Sequence, residues 1–174
     1  MKIRKMLGDV HSKECRDMMQ LMDTQSVTTL ASWAISYAKE RYLPIYKSFY
    51  PDDMRFDETI SACEAYLCGD MRLKELKECL RITTKLPREI TENVIAQTAA
   101  RAMATACSVI QTPTNALGFL FYGAAAIAYD TVGLSETKEV YDTLASKEFQ
   151  YAYQDFQKVA IEHESNPVKL KWNC

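Results

Sequence analysis

Hydrophobic positions recur at helical spacing along almost the whole chain, and no stretch shows the sustained alternation that a half-buried strand requires. Leu30, Trp33, Ala34, Tyr37, Ala38 and Tyr42 form one such series and predict a helix over 28–49. Pro44 should kink or end it, because proline lacks the N–H and crowds the preceding turn. Phe56, Ile60, Cys63 and Leu67 line one face of a helix over 54–68, while Asp57, Glu58, Ser61 and Glu64 face away. Asp53 is its expected cap and Gly69-Asp70 its stop. Leu73, Leu76, Leu80 and Thr83 predict the next helix, and Pro87 is expected to open another that runs to Ile110. A short helix over 12–22, with Met18, Met19 and Leu21 toward the core, precedes these. A long amphipathic one over 136–162 follows, on Val140, Leu144, Ala152, Phe156 and Val159.

One interval departs from this amphipathic rhythm. From Ala116 to Tyr129 there is no charged residue. A membrane span needs about 20 consecutive apolar residues, and the polar run Gln111 to Asn115 leaves only 14 after it. That length suits a buried helix, with Thr112 as N-cap, Pro113 at its first position, Gly133 at its left-handed end and Ser135 capping the next. Apolar almost all round, it belongs at the centre of the domain, where Gly118, Gly123 and Ala124 to Ala126 let neighbours approach closely. Trp33 is expected to be buried against it. The prediction is an all-α fold: a single-domain, orthogonal, bundle-like array of about six or seven helices around a central helix over 115–131. The first ~10 and last ~8 residues are expected to be peripheral to it.

Composition agrees and narrows the function. The 174 residues suit one domain and can bury a core without metal or disulfide. Gly and Pro number only five each, few for a turn-rich fold. With net charge −2 and no basic run, nucleic acid binding lacks its electrostatic footprint. The start MKIRKML is basic but is followed by polar residues instead of an apolar core, so no secretory signal is expected. The six cysteines show no CxxC or zinc spacing and are expected to be reduced, in a cytoplasmic protein.

Catalytic patterns are scarce. His11 and His163 lie near opposite ends, without the HExxH or Cys/His clustering of a metal site. No phosphate-binding glycine loop or GxSxG elbow occurs, so neither cofactor nor metal is expected. Two polar groupings stand out. Asp52, Asp53, Asp57 and Glu58 around Arg55 could face a cation or a basic partner, or could simply cap a helix whose dipole favours acids. Gln111 and Asn115, with Tyr122 on the following helix, sit where two apolar helices meet. They could line a small site or satisfy the turn around Pro113.

The segment SWAISYAKERYLPIYKSFYPDDMRFDETISACEAYLCGD resembles a pattern in which Trp-Ala, Leu-Pro and Pro-Asp-Asp-x-Arg precede a helix ending at glycine. VIQTPTNALGFLFYGAAAIAY is similar to the second half of the same family. Over 30–129 the chain resembles bacterial immunity proteins of the Imm-five-like kind, all-helical proteins associated with polymorphic toxin systems. Gln111 and Asn115 stand where that pattern usually has histidines, and amides keep hydrogen bonding without the titration. The resemblance implies a protein, as monomer or homodimer, that binds and neutralises a cognate toxin stoichiometrically and without catalysis. The alternatives are a helical small-ligand-binding or sensor domain, with its site near Gln111, Asn115 and Tyr122, and an enzyme.

Overall fold

The computed structural model describes residues 3–172. Eight α-helices and no strand are found among them: α1 (Lys13–Met22), α2 (Val27–Arg41), α3 (Leu43–Phe49), α4 (Arg55–Leu67), α5 (Leu73–Glu89), α6 (Val94–Cys107), α7 (Asn115–Val132) and α8 (Lys138–Val159). A single 3-10 turn, Ser108–Ile110, extends α6. None of these helices is long and apolar enough to cross a membrane.

The expected central helix is α7, which packs mainly on α6 and α8 and touches α1, α2 and α3. Ten of its residues are buried, from Ala116 to Tyr129. Gly133 ends it at φ 77°, a left-handed conformation that costs glycine no Cβ clash. Trp33 is 3% exposed and meets Phe119 of α7 edge-on, at 5.5 Å between ring centres. Arg4 and Leu7, ahead of α1, also engage α7. Leu7 is buried, its amide bonding Phe121 O at 3.0 Å, and the Tyr129 hydroxyl donates to Arg4 O at 2.7 Å.

The break expected at Pro44 is found, and three other boundaries differ from expectation. The helix over 28–49 divides at Tyr42, and Pro44 takes a position in the first turn of α3, where its missing N–H is harmless. Pro87 does not open a helix. It lies in the last turn of α5, where Leu76, Leu80, Thr83, Leu86 and Pro87 form one buried stripe that carries the helix through it. α6 begins instead after Asn93, whose Oδ1 accepts from Ala96 N at 2.9 Å. Thr112 caps nothing, because tight turns occupy 112–114 and α7 starts at Asn115. Thr137, not Ser135, caps α8, its hydroxyl accepting from Val140 N at 3.4 Å.

The buried stripe of α8 is displaced by one residue in its first half, while Ala152 and Phe156 are buried as expected. It consists of Tyr141, Ala145, Glu148, Phe149, Ala152 and Phe156, while Val140 and Leu144 are half-buried and Val159 is exposed. Cys63 and Cys107 are buried as free thiols, and Cys15 is buried as well. Cys174 lies outside the described residues.

One glycine of α7 fixes how closely α2, α3 and α7 approach. A Cβ at Gly123 would lie 2.0 Å from Tyr42 Cζ and 2.4 Å from its hydroxyl oxygen. Tyr42 is fully buried and its hydroxyl donates to Glu148 at 2.8 Å, so the ring cannot swing aside without leaving that carboxylate. Gly123→Ala is therefore expected to destabilise by about 2–3 kcal/mol, the upper part of the overpacking range. Gly118→Ala, whose Cβ would meet nothing closer than 3.6 Å, should cost far less, and urea titration of the two variants measures both.

Candidate functional site

The acidic turn is built from the end of α3 and the start of α4, and it is largely neutralised from within. Asp53 accepts two bonds from Arg55 Nε at 3.0 and 3.1 Å, one from Nη2 at 2.7 Å and one from the Arg55 amide at 3.0 Å. The amide bond approximates the cap expected of Asp53, one residue ahead of Met54, which flanks the helix. The Tyr46 hydroxyl donates to the same carboxylate at 2.6 Å. Arg55 spans further to Glu89 at the end of α5, at 2.7 Å. Asp57 pairs with Lys47 at 2.5 Å. Asp52 and Glu58 are exposed and hold no ion pair among the described residues. The grouping is thus a clasp tying the α3–α4 turn to α5, with two carboxylates left over.

The electrostatics of that clasp are testable. Arg55's hydrogen bonds hold the Asp53 carboxyl well below the usual carboxylate range, against burial, with help from the Tyr46 hydroxyl and the Arg55 amide. A depressed carboxyl stabilises the fold above its unfolded value of about 3.9 and loses that stabilisation as pH falls through the lower folded value. Asp53→Asn should therefore cost about 1–2 kcal/mol near neutrality, and the gap from the parent should close as the pH falls below about 4. Urea melts across that range check it; a gap independent of pH would mean Asp53 acts by shape alone.

Asn115 and Tyr122 open onto a different feature. They line a cleft of about 640 Å³ between α5, α6, the start of α7 and the N-terminal segment. Asn115 Nδ2 donates to Ser108 Oγ at 2.7 Å, and Ser108 Oγ donates to Thr105 O at 2.8 Å, which fixes the amide across the break between α6 and α7. The half-buried Tyr122 hydroxyl has no partner among the described residues. Gln111 is exposed, forms no side-chain hydrogen bond there, and lines a neighbouring hollow of about 320 Å³. The two hollows share Thr84 and Arg88. The expected Gln111–Asn115 pair is thus divided: Asn115 is held within the turn, and Gln111 is free at its rim.

The cleft's charges come from residues that sequence reasoning passed over, Lys5, Arg88 and Arg101, and no acidic residue among the described ones lines it. A signal existed for one of them. Arg101 is the single charged residue of α6, VIAQTAARAMATAC, whose other positions are largely buried. Lys5 and Arg88 gave none, since a lone exposed base looks the same wherever it points. Elsewhere, no three His, Cys, Asp or Glu among the described residues gather in a way that could hold a metal ion.

The fold is thus an all-α domain that offers a basic cleft beside a self-paired acidic clasp. The chain belongs to the Imm-5 like putative immunity protein family, which matches residues 20–155. No curated protein and no solved structure matches it. The matched range contains the clasp, Arg88, Arg101, Asn115 and Tyr122, and leaves Lys5 outside.

Proposed function

We propose that this protein is an immunity protein that binds and neutralises a cognate bacterial toxin stoichiometrically, without catalysis. Membership of the family over residues 20–155 carries this reading. Neutralisation by occlusion asks only for a firm surface. The helical frame supplies one, with α7 buried at its centre and the α5–α6–α7 face open as a cleft. The exposed Asp52 and Glu58 at the rim of the clasp form a second candidate contact for a basic partner.

The test is co-expression in a bacterial host with candidate toxin domains, chosen from genes neighbouring this one, followed by titration of the purified pair. Growth should be restored, and residual toxin activity should fall linearly to zero at a fixed molar ratio. Rescue by catalytic traces of the protein would point to an enzyme instead. A second reading, a small-ligand or sensor domain, is favoured by one observation: the cleft lies at Asn115 and Tyr122 and has the volume of an ordinary ligand pocket. A small molecule retained in the purified protein, seen by native mass spectrometry, would support that reading.

A further inference from the structure

Three cations converge on the cleft from separate parts of the chain: Lys5 ahead of α1, Arg88 in the last turn of α5 and Arg101 in the middle of α6. None has a hydrogen-bond or ion-pair partner among the described residues, in a chain where 23 acidic side chains outnumber 21 basic ones. Most other arginines are engaged: Arg4 with Asp142, Arg16 with His11 O, Arg41 with Glu148, Arg55 with Asp53 and Arg81 with Glu78. Arg101 is half-buried, so it has given up part of its hydration with no anion in exchange. The chain has acids to spare, and none has been placed here.

We infer that this face is the docking trough for an acidic segment of the partner protein, whose carboxylates are taken by Arg88, Arg101 and Lys5. The inference rests on the immunity reading and names the chemistry of the partner surface. Its extent favours a polypeptide over a single small anion. The adjoining hollow shares Arg88 and adds Lys77 and Lys85, so the positive lining runs past the reach of one phosphate or carboxylate. Between the charges stand the unpartnered Tyr122 hydroxyl and the half-exposed Asn115, groups that suit peptide N–H and C=O. Nucleic acid fits less well. Among the described residues Tyr122 is the only aromatic ring in either lining, whereas single strands are held by successive stacking platforms.

Fluorescence anisotropy of a labelled glutamate decapeptide, at low salt with the full chain, tests this directly. Arg88→Glu with Arg101→Glu should weaken binding at least about tenfold, and added salt should weaken the parent. Lys169→Glu with Lys171→Glu, the same charge change on the exposed C-terminal segment, should alter binding less than about twofold. Since a glutamate at the half-buried Arg101 could disturb α6, Arg88→Gln with Arg101→Gln is measured beside it. This second pair should keep the parental Tm and still lose affinity. Equal losses in the tail and cleft variants, or no peptide binding by the parent, would overturn the trough. So would tighter binding of an oligothymidylate of the same length, or complete displacement of the peptide by millimolar inorganic phosphate. The toxin assay separates the two readings. If the parent protects cells and the cleft variants protect equally well, the trough is wrong and the immunity reading stands. If the parent does not protect, the immunity reading fails whatever the peptide does.

Discussion

Glu148→Ala is expected to cost about 3 kcal/mol and to lower Tm by roughly 6–12 °C for a domain of this size. The side chain is 1% exposed in the middle of α8. Its Oε1 accepts from the Tyr37 hydroxyl at 2.9 Å, the Tyr42 hydroxyl at 2.8 Å and Arg41 Nε at 3.3 Å, and Oε2 pairs with Arg41 Nη2. Burial and the adjacent carboxylate both push the two phenols far above their ordinary range, so they stay protonated and act as donors. Alanine would leave both hydroxyls buried without an acceptor and strip Arg41 of its partner. The Arg41 side chain is 34% exposed and lies 5.7 Å from the centre of the Tyr151 ring, so it can regain water. This places the loss at the lower end for a broken buried pair. Replacing the carboxylate and both phenols, Tyr37→Phe, Tyr42→Phe and Glu148→Leu, should recover much of the loss, because no buried hydroxyl is then left without an acceptor and Arg41 can reach water. A triple variant as unstable as Glu148→Ala would mean that volume, not hydrogen bonding, sets the cost.

Trp33→Ala is expected to cost about 3–5 kcal/mol, the range for emptying a large aromatic site. The indole joins three helices: it lies 4.6 Å from the Phe156 ring of α8, 5.5 Å from Phe119 of α7 and 5.6 Å from Tyr37 of its own helix. Its Nε1 donates to Asp155 at 3.1 Å. Three rigid rings around the void limit collapse, which is why the full cavity cost applies. Trp33→Phe keeps most of the volume and drops only the Asp155 bond, so it should retain more than half of the lost stability. Chemical denaturation of both variants decides the matter, and an unchanged midpoint for Trp33→Ala would refute the packing argument.

The helical repeats carried most of the fold, because a 3.6-residue stripe can be seen without knowing what covers it. α7 was visible for a simpler reason: 14 residues without charge cannot face water. Turn chemistry was less legible. Thr112-Pro113 has the form of a helix start, yet the break between α6 and α7 is spanned by successive tight turns and by Asn115 reaching back to Ser108. Pro87 has the form of another, but the burial of its own stripe outweighed one missing hydrogen bond near the end of α5. In α8, the stripe expected from Val140, Leu144, Ala152 and Phe156 passes through position 148, yet the glutamate there was not counted among its core contacts. A glutamate in a helix is solvated by default, and nothing local shows that two tyrosines and an arginine from 37–42 wait for it.

The candidate sites divide in the same way. Asp53, Arg55 and Asp57 could be found as a cluster because they are neighbours in the chain, but the partners that neutralise them, Tyr46, Lys47 and Glu89, are assigned by three-dimensional contact. Asn115 and Tyr122 were legible as polar groups beside an apolar helix, whereas the basic cleft they open onto is made by residues as far apart as Lys5 and Arg101. By itself, the sequence determined the helical class, the central place of α7 and the family, since each rests on periodicity or on runs of nearby residues. Only the tertiary structure decided which charges are spent in pairing and which stand free, because Coulomb interactions depend on distance in space and the chain brings distant residues together without leaving a local mark.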